Sequence, residues 1–151
     1  MGIIDIKDDD KYLEEYIKLC CLEWGSSKST EQMEQYIMEK KKKILTGDKV
    51  LKVLGLIKNN NLIGFISLFK YDGDERRDLT PWYATMYIKK EYRGKGYSKI
   101  LNNAILKEAD KLGYKKVYLK TNLINYYEKF GAQYIEKMSN GDQLYYYDLS
   151  K

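Results

Sequence analysis

Histidine is missing from all 151 residues. That excludes a Ser-His-Asp triad, His-ligated zinc and an imidazole general base. Cysteine is nearly missing too: the two present, Cys20 and Cys21, are neighbours. Consecutive residues rarely reach disulfide geometry, so reduced thiols in a cytoplasmic protein are expected. Apolar runs are short, well under the roughly 18 residues that span a bilayer, and residues 1–5 do not have the pattern of a signal peptide. No membrane attachment is expected.

What is present fits one soluble domain spanning residues 1–151, long enough to bury a core and too short for two. Lysine and arginine total 27 against 22 acids, a net charge of +5, with the two signs interspersed. A mild excess of this kind suits an anionic ligand. It offers no clustered base-and-aromatic face for nucleic acid, and neither a zinc site nor a helix-turn-helix signature appears. The sixteen tyrosines against three phenylalanines carry no functional inference.

Hydrophobic spacing organises the chain. Asp8, Asp9 and Asp10 supply caps and first-turn acids for a helix whose apolar stripe is Leu13, Tyr16, Ile17, Cys20 and Trp24, ended by Gly25-Ser26-Ser27. A second helix begins near Ser29, with Gln32 as capping-box partner and Met33, Tyr36, Ile37 and Ile44 as its stripe. Lys40, Lys41, Lys42 and Lys43 read as its solvated C-terminal end. Residues 50–58 and 62–69 then read as strands around the turn Asn59-Asn60-Asn61, and 82–88 as a third strand after Pro81. An amphipathic helix over 97–112, a strand over 115–120, a short helix over 123–130 and a hairpin across Asn140-Gly141 complete the order. The pattern predicts an α/β fold: a mixed, mostly antiparallel sheet with one parallel crossover and helices on both faces.

The sharpest chemical signal is Arg93-Gly94-Lys95-Gly96-Tyr97-Ser98, between a strand and the amphipathic helix. Glycines let the backbone turn tightly and approach a ligand, while the first helical N–H groups point outward with the positive end of the dipole behind them. Such a nest suits phosphate oxygens, and Arg93 and Lys95 add charge. The pattern lacks the ending of a P-loop and the spacing of a dinucleotide fingerprint. As a purely structural turn, the same glycines would need no ligand.

Residues 82–131 resemble the GCN5-related N-acetyltransferase (GNAT) superfamily. Two stretches carry the resemblance. Arg93, Gly94, Gly96 and Ser98 match the family's Arg/Gln-x-x-Gly-x-Gly/Ala loop, with serine in the last place, and Tyr126-Tyr127-Glu128-Lys129-Phe130-Gly131 matches its aromatic-Tyr segment. The resemblance implies a GNAT fold, splayed at the cofactor cleft, and acetyl-CoA as cosubstrate with no metal. The loop residues, with Lys95 and Tyr97, would hold the diphosphate, and Met86, Tyr87 and Ile88 would pair with the pantetheine arm. Asn122 would either contact the coenzyme or cap the helix after it.

The resemblance further implies direct attack of an amine on the thioester through a tetrahedral intermediate, with Tyr127 as acid to the departing sulfur and a backbone N–H near Tyr83 polarising the carbonyl. No base follows from sequence. Asp78 leads the choices, ahead of Glu75 and Glu23, with Tyr83 as a relay and water acting alone as an equal possibility. Acids between Asp72 and Asp78 would steer a cationic acceptor, or simply form a hydrophilic loop. A small-molecule primary amine is the expected acceptor. A protein or peptide amine, and a catalytically silent acyl-CoA-binding module, are the alternatives. Pairing of the last strands between copies, giving a homodimer, is compatible with all three.

Overall fold

The computed structural model describes residues 1–150. It opens with a strand that hydrophobic spacing did not reveal, β1 (Gly2–Asp5), which pairs antiparallel with β2 (Val50–Lys58) from Gly2↔Ile57 to Asp5↔Leu54. Four residues are too few to display a period, and β1 takes its conformation from the edge it covers. Helix α1 (Asp10–Trp24) starts where expected, the Asp9 carboxylate accepting from the Tyr12 N–H at 3.2 Å. Its buried stripe is Tyr12, Leu13, Tyr16, Ile17 and Cys21. Cys21 thus replaces Cys20 in the core, while Trp24 stays 54% exposed at the free end of the helix.

Helix α2 (Thr30–Thr46) carries the capping box in full. Ser29 Oγ accepts from the Gln32 N–H at 3.2 Å, and Gln32 Oε1 accepts from the Ser29 N–H at 2.8 Å. Only Ile44 of its expected stripe is buried; Met33, Tyr36 and Ile37 are half-covered. The helix leans on α1 rather than sinking into the sheet, and Lys41 ties the two together through Glu14 at 2.9 Å and Asp10 at 3.5 Å.

The β2 and β3 (Asn61–Phe69) strands meet at a two-residue turn in which Asn59 and Asn60 have φ of 51° and 63°. Asparagine tolerates this left-handed geometry, whose twist matches that of a hairpin. Asn61, expected in the turn, begins the strand. After β4 (Trp82–Ile88) come α3 (Tyr97–Lys111) and β5 (Lys116–Thr121). The short helix expected over 123–130 is reduced to a 3-10 turn, Tyr127–Phe130, because Asn125 with φ 57° interrupts regular helix before it. The closing hairpin, β6 (Gln133–Lys137) and β7 (Gln143–Asp148), turns at Asn140-Gly141 as expected.

The sheet order is β1-β2-β3-β4-β5-β7-β6. Every neighbouring pair is antiparallel except β4 and β5, which run parallel and meet in register only at Trp82↔Tyr118. Covered on both faces, β3 is buried almost throughout. One side packs Ile63, Ile66 and Leu68 with Leu101, Ile105 and Ala109 of α3; the other packs Leu62 and Phe65 with Leu13, Tyr16 and Ile17 of α1. Among the described residues, no helix is long and apolar enough to cross a membrane.

Leu101 is fully buried where α3 meets the sheet. Leu101→Ala should lower unfolding free energy by about 2–5 kcal/mol, read as a reduced denaturant midpoint at constant slope.

Candidate active site in the parted sheet

β4 contains one residue too many for its partner. Phe65 faces Tyr87, yet Ser67 faces Ala84, so the interval on β4 is longer than that on β3. The excess is taken up at Thr85, whose φ is 50°. A β-branched residue in the left-handed region costs about 1–3 kcal/mol and persists only where its surroundings enforce it. Here hydroxyls enforce it. Tyr16 on α1 shares a 2.7 Å hydrogen bond with Ser67 Oγ and a 3.4 Å one with Thr85 Oγ1, and Ser67 and Thr85 bond each other directly. Ser67 is fully buried, and burial raises the Tyr16 phenol pKa well above its ordinary value, so it remains a neutral partner. Sequence reasoning missed this triad, whose only sign was a serine and a threonine inside otherwise apolar strands.

The bulge bends β4 away from β5 once Trp82↔Tyr118 is passed. Two connected spaces open along the parting. A space of about 660 Å³ is lined by Tyr83, Ala84, Thr85 and Met86 of β4, by Leu119 to Thr121 of β5, and by Asn122 and Tyr127. A second, of about 530 Å³, runs past Met86, Tyr87 and Ile88 to Arg93, Gly94, Gly96, Tyr97 and Ser98. Glu23, Trp24, Met86 and Leu123 border both, so one groove leads from the glycine loop to Tyr127.

At the loop, Gly94 and Gly96 have φ of 77° and 81°, and a Cβ on either would meet nothing within 4 Å. The conformation demands glycine, and the space above it is open. Gly96 caps α3 without any side-chain bond, and its carbonyl accepts from the Ile100 N–H at 3.4 Å. The N–H groups of residues 94–99 have no hydrogen-bond partner among the described residues. A run of outward amides at the positive end of a helix fits a diphosphate. Arg93 is braced beside it: Nε donates to the Ile88 carbonyl at 2.7 Å, and the guanidinium lies 5.6 Å from the Tyr87 ring centroid. Lys95 sits over Tyr92 at 5.8 Å and is not among the residues lining the groove.

At the other end, the Tyr127 ring stands edge-on to Tyr83 at 5.7 Å and to Tyr126 at 4.8 Å. Burial, reinforced by Tyr126, pushes the Tyr127 phenol up to about 12. Tyr83 is pushed well above the ordinary range, again chiefly by burial, which leaves it unsuited to relay protons as a phenolate. Asn122 lines the groove and caps no helix, since the 3-10 turn begins at Tyr127 without a side-chain cap.

Asp78 does not join these residues. Arg76 grips both its oxygens at 3.0 Å and also bonds Glu136, and the Arg76 hydrogen bonds hold the Asp78 carboxyl below the usual carboxylate range. It lines neither part of the groove. Glu75 is likewise engaged, accepting from Ser139 N–H at 3.2 Å and Ser139 Oγ at 2.5 Å. Their loop folds onto the closing hairpin, which a linear view of its charges does not reveal. Of the three carboxylates considered, Glu23 is the one bordering the groove. Among the described residues, no group of three or more acidic or cysteine side chains is placed to hold a metal ion.

Comparison with known proteins bears on family and fold. A model of the acetyltransferase (GNAT) family matches residues 13–132. No curated protein sequence matches. Among solved structures, an aminoglycoside 6'-N-acetyltransferase complexed with coenzyme A superposes with TM-score 0.74 at 15% identity, covering 100% of this chain and 98% of that one. The PaiA N-acetyltransferase of Thermoplasma acidophilum, in complex with coenzyme A, gives 0.62 at 24% identity over 98% and 99%. The aminoglycoside 6'-N-acetyltransferase of Enterococcus faecium gives 0.71 at 15% over 100% and 98%. At these identities the likeness establishes the fold.

Removing the hydroxyl that pins the bulge, Tyr16→Phe, should cost about 0.5–1.5 kcal/mol of stability in chemical denaturation. Wild-type stability in the variant would show that the triad does not hold Thr85.

Proposed function

The chain belongs to the acetyltransferase (GNAT) family, and we propose that it is a single-domain enzyme whose acceptor is the primary amine of a small molecule. The observation that carries this function is the groove joining unpartnered amides at the start of α3 to the Tyr127 hydroxyl. Acetyl-CoA supplies an activated thioester, whose carbonyl a neutral amine attacks as the thiolate departs.

This chain's residues do the rest. The amides of residues 94–99 and the braced Arg93 hold the diphosphate, which fixes one end of a long, flexible cosubstrate. Met86, Tyr87 and Ile88, on the arm of β4 that has parted from β5, offer main-chain groups to the amides of the pantetheine arm. A backbone N–H at the bulge polarises the acetyl carbonyl. Tyr127 gives its proton to sulfur as charge builds there. A phenol held near 12 is fully protonated at neutral pH and releases its proton only to a strongly developed anion. Glu23, on the last turn of α1 beside the groove, takes the amine's proton through water. Asp78, locked by Arg76, has no part in the transfer.

Tyr127→Phe should reduce kcat by roughly 10-fold or more in a thiol-release assay, with coenzyme A affinity within about twofold by calorimetry. An unchanged kcat would remove Tyr127 from the acid role. The acid works in its protonated form and its pKa is raised, so activity lost through Tyr127 ionisation should begin only as pH nears 12, above the ordinary phenol value of about 10. A falling limb of kcat centred below pH 10 that vanishes in Tyr127→Phe would contradict this. Gly96→Val places a branched side chain at φ 81° in the open cradle and should abolish measurable coenzyme A binding while circular dichroism stays unchanged. Retained affinity would dissociate the loop from the cosubstrate.

A further inference from the structure

On the α1–α2 face of the sheet, behind the bulge, lies a third space of about 510 Å³. Its walls are mostly apolar and aromatic: Tyr16, Ile17, Cys20 and Trp24 from α1, Tyr36 and Ile44 from α2, and Val50 and Phe69 from the sheet. Its only charged lining residues are three lysines, Lys40, Lys43 and Lys49. Thr85 and Trp24 line both this space and the groove containing Tyr127, so the bulge is the partition between them.

The lysines are not the incidental end of a basic helix. Tyr36, Lys40, Lys43 and Ile44 fall at i, i+4, i+7 and i+8, one face of α2, and that face turns toward the cavity. Lys41, pointing elsewhere, is neutralised by Glu14 and Asp10. Lys40 and Lys43 have no carboxylate partner among the described residues, and Lys49 meets only the Phe69 ring at 5.4 Å. The neighbouring acid, Asp48, is occupied by Lys70 at 3.3 Å. Like charges three residues apart on a helix repel, and an anion between them would relieve that repulsion. Three of the four acids between Asp72 and Asp78 are meanwhile engaged: Asp78 by Arg76, Glu75 by Ser139, and Asp72, which lines the space containing Tyr127, in part by Lys120 at 3.9 Å.

We propose that the acceptor carries an anionic group, a carboxylate or a phosphate, on an apolar or aromatic body, with Lys40, Lys43 and Lys49 holding the anion while the amine points at the Thr85 bulge. The inference rests on the amine-acetylation function above and narrows its substrate class. It sets this chain apart from the aminoglycoside-modifying proteins that share its fold, because a polycation would enter a cavity bearing three positive charges and no negative one.

The test uses matched amines: tyramine O-phosphate against tyramine, phenylalanine against phenylalanine amide, and spermidine as the polycation. The anionic member of at least one pair should be favoured on the order of tenfold in kcat/KM at low salt, with the advantage shrinking as ionic strength rises. The pair that responds tells phosphate from carboxylate. Lys40→Glu/Lys43→Glu, at two exposed helix positions, should erase the preference through KM for the amine while KM for acetyl-CoA stays unchanged. Calorimetry of tyramine O-phosphate and phenylalanine on the coenzyme A-saturated protein reads the same selectivity without turnover. Preference for tyramine, phenylalanine amide or spermidine, or an anion preference that survives the double variant, overturns the proposal but leaves acetyl transfer standing. Lysine-dependent anion binding with no turnover of any amine supports the lysine site and sinks the acetyl-transfer function instead.

Discussion

The surplus residue in β4 is the constraint on which the site depends. A strand with one residue more than its partner cannot stay flat, and Thr85 absorbs the difference by entering a conformation that threonine avoids. The buried hydroxyls of Tyr16 and Ser67 hold it there, so a contact from α1 reaches through the sheet to shape the far side. β4 then diverges from β5, and the divergence is the groove. Without the bulge, continued parallel pairing beyond Trp82 would place backbone hydrogen bonds where a cosubstrate should lie.

The two ends of the groove obey opposite physical demands. At the glycine loop the structure is open: left-handed glycines, outward amides and an arginine braced by the Ile88 carbonyl and by an aromatic face. What the loop offers a charge is fixed dipoles. At Tyr127 the structure is closed and aromatic, and burial keeps a phenol neutral far into the alkaline range. A long ligand with an anionic head and a reactive tail would span such a gradient from wet to dry, its reacting end in the lower-dielectric environment.

Much of this was legible in the sequence, and what escaped shares a cause. The Ser29/Gln32 box, the glycines before α3 and the Asn140-Gly141 hairpin are local devices whose chemistry lies within a few residues, so they could be read directly. The motif singled out Tyr127, which lines the groove. Pairings between distant residues were not legible. Glu75 looks free in a loop of acids until Ser139 arrives from the hairpin, and Arg76, only two residues from Asp78, is also tied to Glu136 of that hairpin. β1 depends on an edge built some fifty residues later. Lys40 and Lys43 lie within a run of four lysines that reads as solvated, and only the docking of α2 on α1 sets Lys41, which pairs with α1, apart from Lys40 and Lys43, which face the cavity.

Trp24 closes the last turn of α1 half in solvent, its ring 6.3 Å from Tyr87, at the place where all three spaces meet. The chain's other tryptophan, Trp82, is almost wholly sealed in the core. The molecule therefore carries two optical reporters with separate duties. Trp24 is placed to sense what enters the junction, while Trp82 is the one whose surroundings change most when the sheet itself comes apart. Occupancy and unfolding can be followed in one cuvette, with no label attached.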